Sequence, residues 1–203
     1  MQSKAKPYLS VVIAIACAAA WLVPGLDAWL IYDRQLVLNG EVWRVGTAPL
    51  AHLSGQHLAW NLVVFLAASA AAEVQEEPGL KRTLLASALL PGLFAIAAQP
   101  DLSRYGGLSG VATGVVVLLA LRGLQAREAS MGSRTLWLMV LGLLLAKTVY
   151  ELACSTALLA AGPGAGWRPL VSAHGFGIVA GWWGASGAGR AAVDPARPTR
   201  VPR

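Results

Sequence analysis

Six stretches of the chain consist almost wholly of apolar residues, and short polar segments rich in glycine and proline separate them. They cover residues 8–26, 55–73, 81–99, 107–123, 135–154 and 171–187. A helix needs about 17–25 apolar residues to cross a bilayer, and each stretch meets or nearly meets that length. The pattern predicts an all-α polytopic membrane protein, a bundle of six transmembrane helices.

The two ends of the chain need separate interpretation. Residues 8–26 follow Lys4 and Lys6, as the apolar part of a signal peptide would, but they lack a small-x-small cleavage site. We therefore expect a retained first span. Residues 188–203 are rich in proline and arginine and are expected to form a disordered cytoplasmic tail, which leaves residues 1–187 as one membrane domain.

Composition supports the membrane class. Of the 203 residues, 56% are hydrophobic and 13% charged, whereas a soluble domain carries about twice that share of charge. The net charge of +6 would suit a protein that binds nucleic acid, but the basic residues form short clusters between apolar stretches. We therefore expect contact with the lipid bilayer and no nucleic-acid partner. Cys17 and Cys154 do not have the spacing of metal ligands, and no other cluster of residues has it either. We therefore expect no metal or organic cofactor.

The distribution of Lys and Arg predicts the orientation. With the amino terminus inside, eleven basic residues lie on the inner side and four on the outer side, and Lys147 lies within the fifth span. The inner set is Lys4, Lys6, Lys81, Arg82, Arg122, Arg127, Arg134, Arg190, Arg197, Arg200 and Arg203, and the outer set is Arg34, Arg44, Arg104 and Arg168. Because cytoplasmic loops carry an excess of basic residues, both termini are predicted to be cytoplasmic.

Polar residues at the starts of the even-numbered spans are predicted to lie at one depth in the outer leaflet. They are His57 and Asn61 in the second span, Ser109 in the fourth and His174 in the sixth. Each alone has a structural explanation, either small-residue packing or a hydrogen bond between helices. Polar groups at membrane depth usually face the bundle interior, so their common depth favours a single polar pocket.

Such a pocket suits acyl transfer. A serine hydroxyl needs a base to take its proton, and the imidazole of His174 suits that task. His57 and Asn61 are four residues apart on one helix face and can both donate to an oxyanion, with the Ser109 backbone N–H as a third donor. No Asp or Glu is expected at the depth of His174, so the sequence predicts a Ser–His dyad.

Three motifs around these residues resemble, in order, those of the rhomboid family of six-span intramembrane serine proteases. HLAWN at 57–61 resembles HxxxN, GLSG at 107–110 resembles GxSG, and AHGFGIVAG at 173–181 resembles AHxxGxxxG. The resemblance covers residues 41–181. It implies Ser109 as the nucleophile, His174 as the general base, and His57 with Asn61 as the oxyanion site.

Further positions match the family in supporting roles. EVWR at 41–44 resembles the Trp-Arg element of the first external loop, and His52 stands where rhomboids often carry another histidine. Trp43 and Arg44 belong either to a loop that shields the site or to an interfacial anchor, and we interpret both as structural. The supporting glycines are Gly107, Gly110, Gly177 and Gly181, of which the last two are expected to let the sixth span approach the fourth closely.

Lys147 and Glu151 in the fifth span resemble a feature of the rhombosortase branch of the family. We interpret them as an intramembrane ion pair, with a snorkelling lysine and an interfacial glutamate as the alternative. The branch implies a bacterial inner-membrane enzyme that processes proteins with a carboxy-terminal Gly-Gly, membrane-span and basic-tail signal. Thr113 stands where the family often has an aromatic residue that packs on the catalytic imidazole, so something else must hold His174.

The expected function is therefore an intramembrane serine endopeptidase that cleaves membrane-anchored protein substrates from the external side. Two alternatives stay open: a catalytically inactive rhomboid-like binder of membrane clients, and a small transporter that uses the polar pocket as a substrate site. The sequence also leaves open whether an accessory protein takes part.

Overall fold

The computed structural model describes residues 6–126, 129–154, 170 and 172–187. Its long helices are α1 (Tyr8–Leu22), α5 (Gly55–Val74), α6 (Leu80–Ala98), α7 (Ser109–Gln125), α8 (Met131–Cys154) and α9 (Ser172–Ser186). Between α1 and α5 lie the short helices α2 (Leu26–Leu30), α3 (Arg34–Leu38) and α4 (Arg44–Thr47), followed by a 3₁₀ turn, Ala48–Leu50. Two short strands complete the described structure, β1 (Tyr32–Asp33) and β2 (Arg104–Tyr105).

A long helix lies at each of the six predicted spans. The first ends at Leu22 rather than at residue 26, because Pro24 holds Val23 extended and Gly25 takes a left-handed conformation with φ of 80°. Helices α5, α6 and α8 are long and apolar enough to cross a membrane, and α1 and α7 are shorter apolar helices. Six complete crossings therefore stay a prediction.

Some of the sequence predictions concern residues outside the described ranges. The tail at 188–203 and the loop at 155–169 lie outside the described residues, as do several of the basic residues used to predict the orientation, namely Lys4, Arg127, Arg168, Arg190, Arg197, Arg200 and Arg203.

Contacts near the helix ends show that the helices alternate in direction. Glu77, just after α5, forms an ion pair of 3.2 Å with Arg122 in the last turn of α7. Arg82 in the first turn of α6 donates a hydrogen bond of 3.1 Å to the carbonyl of Gly184 near the end of α9. The ends of α5, α7 and α9 therefore share one face of the bundle, and their starts share the opposite face.

The carboxylate of Glu73, at the end of α5, caps the start of α1. It accepts hydrogen bonds from the backbone N–H groups of Leu9 (2.9 Å) and Ser10 (2.8 Å), and from the Ser10 hydroxyl. The first N–H groups of a helix have no partner within the helix, so this carboxylate satisfies two of them from another element.

We expect Glu73→Ala to lower the free energy of unfolding by about 1–3 kcal/mol, because it leaves N–H groups of α1 without an acceptor. Thermal unfolding in detergent measures the effect. Glu73→Gln keeps an acceptor oxygen at the same place and should lose less. An unchanged midpoint in Glu73→Ala would show that the cap contributes nothing.

Helix α7 forms the centre of the bundle. It contacts α5, α6, α8 and α9, and Val115 and Leu118 in its middle are completely buried. A helix that is apolar on every side suits this position, because it meets other helices all around. Since α7 starts at Ser109, the core holds the candidate nucleophile at a fixed place.

A two-strand ribbon fastens the loop between α1 and α5 to the segment before Ser109. Strands β1 and β2 pair antiparallel, with Tyr32 opposite Tyr105 and Asp33 opposite Arg104. Arg104 donates a hydrogen bond of 2.6 Å to the Asp33 carboxylate. Burial acts to raise the pKa of Asp33, but the Arg104 guanidinium and backbone N–H donors outweigh it and hold that pKa below its usual value.

Trp43 and Arg44 brace the loop between α1 and α5 from within. The buried Arg44 guanidinium donates hydrogen bonds to the carbonyls of Ala28 (2.7 Å) and Ile31 (2.9 Å). The Trp43 indole N–H donates to the carbonyl of Trp29, and the two indole rings lie 5.4 Å apart. Both residues therefore hold α2 against α4.

Candidate active site

The starts of α5, α7 and α9 surround a cavity of about 210 Å³. Its wall contains all four residues predicted to act chemically, namely His57, Asn61, Ser109 and His174. The last two turns of α8 add Lys147 and Glu151 to the same wall. The structure thus brings together side chains from four helices.

Ser109 is the first residue of α7, and its place at the helix terminus has chemical consequences. The first hydrogen bond of the helix runs from the Ala112 N–H to the Leu108 carbonyl, so the Ser109 N–H has no partner within the helix. Helix amino termini favour negative charge. A developing oxyanion beside Ser109 would therefore meet a suitable field and a backbone donor.

Gly107 is required for two independent reasons. Its φ of 120° lies in a region that residues with a side chain rarely adopt. A Cβ at this position would also lie only 2.6 Å from Cε1 of His57 and 3.2 Å from its Nε2. The first glycine of GLSG therefore allows the His57 ring to lie against the turn that leads to Ser109.

His57 and Asn61 occupy one face of α5, and both are buried. Neither Nδ1 of His57 nor Nδ2 of Asn61 has a hydrogen-bond partner in the described part of the chain. A buried polar group without a partner costs about 1–3 kcal/mol, so a ligand that accepts a hydrogen bond from such a group recovers part of that cost. Hydrogen-bond donors on two residues that line a cavity with a serine are suited to stabilising an oxyanion.

His52, in the loop between α1 and α5, contacts the turn before Ser109. Its Nδ1 lies 3.2 Å from the Leu50 carbonyl, and its Nε2 lies 3.4 Å from the backbone N–H of Leu108. These partners require a neutral ring that donates from Nδ1 and accepts at Nε2. Burial, together with nearby His57, lowers the pKa of His52 to about 4. The ring is therefore neutral above that pH.

We expect this histidine to make the protein less stable in mild acid. Because the folded pKa of about 4 is below the unfolded value of 6.5, protons bind the unfolded chain more readily. The contribution is complete above pH 6.5 and is lost as the pH falls towards 4, by about 3 kcal/mol in all. Unfolding midpoints between pH 7 and 4.5 should fall less in His52→Gln than in wild type; equal falls would contradict the prediction.

The predicted close approach of the fourth and sixth spans is present between α7 and α9. A Cβ on Gly177 would overlap the carbonyl oxygen of Gly110, and a Cβ on Gly181 would overlap that of Gly114. A Cβ on Gly110 would lie 2.9 Å from the carbonyl oxygen of Ala173. The two backbones are thus in direct contact, which brings the start of α9 beside the start of α7.

The prediction that no carboxylate lies at the depth of His174 is wrong. Glu151 Oε2 lies 2.8 Å from His174 Nδ1, and Lys147 Nζ lies 2.8 Å from the same oxygen. Helix α8 ends at the face where the even-numbered spans begin, and Glu151 is in its last turn. The end of the fifth span lies at the same depth as Ser109 and His174, so Glu151 could have been predicted from the sequence as a neighbour of His174.

The His174 ring is held mainly by α8. Besides its contact with Glu151, its two ring nitrogens lie 3.5 and 3.4 Å from Lys147 Nζ. Thr113 is buried in the same cavity wall, against Gly177. Ser109 and His174 line one cavity, but no hydrogen bond joins their side chains in the described residues.

Comparison with known protein families identifies the family of this chain. The family model of the Rhomboid domain matches residues 39–189, most of the chain, and this region contains the whole cavity wall. No curated protein matches the chain. Rhomboid proteins are generally intramembrane serine proteases that act on membrane proteins in the bilayer. With its apolar helices and this match, the chain is an integral membrane protein that belongs to the rhomboid family.

Proposed function

We propose that this protein is an active intramembrane serine endopeptidase with Ser109 as nucleophile and His174 as general base. One observation carries the proposal: a single cavity holds the serine, the imidazole, and two buried donors, on His57 and Asn61, without partners in the described residues. An inactive binder would have no use for unsatisfied donors beside a serine.

The first half of the reaction forms an acyl-enzyme. As Ser109 Oγ attacks the scissile carbonyl, its proton passes to His174, and the carbonyl oxygen becomes an oxyanion. The side chains of His57 and Asn61 and the Ser109 N–H donate to that oxygen. His174 then gives the proton to the leaving nitrogen, and the peptide bond breaks.

The second half releases the product. A water molecule gives a proton to His174 and attacks the ester, and Ser109 Oγ recovers a proton as it leaves. Transfer of the acyl group to another nucleophile follows the same path. Water would reach the site from the external side, and the predicted excess of basic residues on the inner side supports this orientation for the starts of α5, α7 and α9.

We assign the protein to the rhombosortase branch, in a bacterial inner membrane with cytoplasmic termini. Its substrates would be membrane-anchored proteins that end in a Gly-Gly, membrane-span and basic-tail signal. The assignment rests on the Lys147 and Glu151 pair, whose Nζ and Oε2 atoms lie 2.8 Å apart.

Coexpression with a reporter that carries such an anchor tests the proposal. Wild type should release a shortened reporter whose mass identifies the scissile bond, and Ser109→Ala should release none. A matched reporter with Leu-Leu in place of Gly-Gly tests the branch assignment separately from the protease activity. A rhombosortase should cleave only the Gly-Gly reporter, whereas a rhomboid protease that does not recognise this signal should cleave both reporters or neither. If wild type releases no reporter and its Ser109 does not react with a fluorophosphonate, the protein is an inactive binder. Solute flux that survives Ser109→Ala would instead indicate a transporter.

A further inference from the structure

We propose that Glu151 is a positioning residue of the catalytic group, so that the reaction uses a Ser109, His174 and Glu151 triad rather than a dyad. This inference rests on the proposed function. It goes beyond the ion-pair interpretation of Glu151, because an ion pair with Lys147 needs no contact with the imidazole.

The contact with Nδ1 selects the reactive form of His174. A carboxylate oxygen 2.8 Å from Nδ1 accepts a hydrogen bond from the proton on that nitrogen. The proton then stays on Nδ1, and the lone pair of Nε2, which lies 3.4 Å from Lys147 Nζ, is the one that receives the proton of Ser109. The same contact stops the ring from turning in the cavity.

Burial shows that the carboxylate is held in place. The Glu151 side chain is 1% exposed, and a buried carboxylate is costly unless charged or hydrogen-bonding groups surround it. Lys147 supplies the opposite charge from one helical turn away, with its own side chain 25% exposed. The pair therefore keeps a carboxylate beside His174 inside the membrane domain.

Thr113 explains why this chain needs such a support. A threonine has no ring face on which the imidazole could pack, and it lies in the contact between α7 and α9. The carboxylate on α8 restricts the ring from the other side. It supplies an orientation that the resemblance to the family assigns to an aromatic residue.

Charge balance gives Glu151 a second effect. When Ser109 Oγ attacks, its proton moves to Nε2, the ring becomes an imidazolium, and Glu151 stays unprotonated. The positive charge of Lys147, whose Nζ lies 3.4 Å from Nε2, opposes the imidazolium. The Glu151 carboxylate offsets that repulsion.

The test compares Glu151→Gln with wild type in two assays, the rate at which a fluorophosphonate labels Ser109 and the cleavage of the anchored reporter. We expect labelling and kcat to fall about 100-fold or more, because removing the orienting carboxylate of a triad costs up to about 10⁴ in kcat. KM should change little, whereas the unfolding midpoint should fall, because Lys147 is left beside a neutral amide. A defect confined to folding would instead lower the amount of active protein without a change in the rate per labelled site.

Glu77→Gln is the matched control, because it removes another carboxylate that joins two helices, at the opposite face of the bundle. It should label at the wild-type rate. Should Glu151→Gln not insert, the double variant Lys147→Met with Glu151→Met removes both charges together and should label as slowly. Labelling of either Glu151 variant at the wild-type rate would overturn the triad, whereas no labelling of wild type would instead overturn the proposed function.

Discussion

Gly177→Val is expected to abolish cleavage while the protein still inserts into the membrane. Any Cβ at this position would overlap the Gly110 carbonyl oxygen and lie 3.0 Å from the Cβ of Thr113. Both obstacles belong to the central helix, which packed neighbours hold on all sides, so α9 must move instead. Because His174 lies three residues earlier on α9, its imidazole would leave the reach of Ser109. A displacement of about 1 Å can cost 100-fold in rate.

Gly175→Val provides the control on the same helix. A Cβ at Gly175 has no described atom within 4 Å, so valine there meets open space. Both variants add the same side chain to α9 close to His174, and only the one at Gly177 faces α7. Fluorophosphonate labelling and reporter cleavage should be retained in Gly175→Val and lost in Gly177→Val. Full activity in Gly177→Val would refute the role of this glycine.

Asn61→Ala is expected to lower kcat by about 100- to 1,000-fold, with little change in KM. Its amide nitrogen is buried in the cavity without a described partner, and it can bind the oxyanion only as that charge develops. The same observation predicts that the folded protein does not need this amide. The unfolding midpoint of Asn61→Ala should therefore equal or exceed that of wild type, since removing an unsatisfied polar group is favourable.

Ser69→Ala separates this effect from a general response of α5. Ser69 lies further along the same helix, is completely buried, and has a hydroxyl without a described partner, but it does not line the cavity. Its replacement should leave kcat at the wild-type value. An Asn61→Ala variant with wild-type kcat would remove Asn61 from the oxyanion site.

The order of apolar and polar segments was enough to predict the helices and most of the site. Segment length sets which residues can lie in a bilayer, and alternating direction sets which helix ends meet. From these two constraints, His57, Asn61, Ser109 and His174 were predicted to share a depth, and all four line one cavity. The glycine contacts of α7 with α9 were predictable for a similar reason, since small residues one turn apart mark a close helix approach.

The tertiary structure decided which side chains touch within that depth. A helix in lipid is apolar on nearly every face, so its sequence pattern carries little information about how it is rotated. The rotation of α8 is what points Glu151 at Nδ1 of His174, and the depth argument had left that carboxylate out. Contacts between distant segments, such as Glu73 with the start of α1, depend likewise on packing. The sequence alone determined the membrane class, the helices and the candidate nucleophile and base; the folded bundle decided what orients that base, because side-chain contacts between helices exist only once the helices pack.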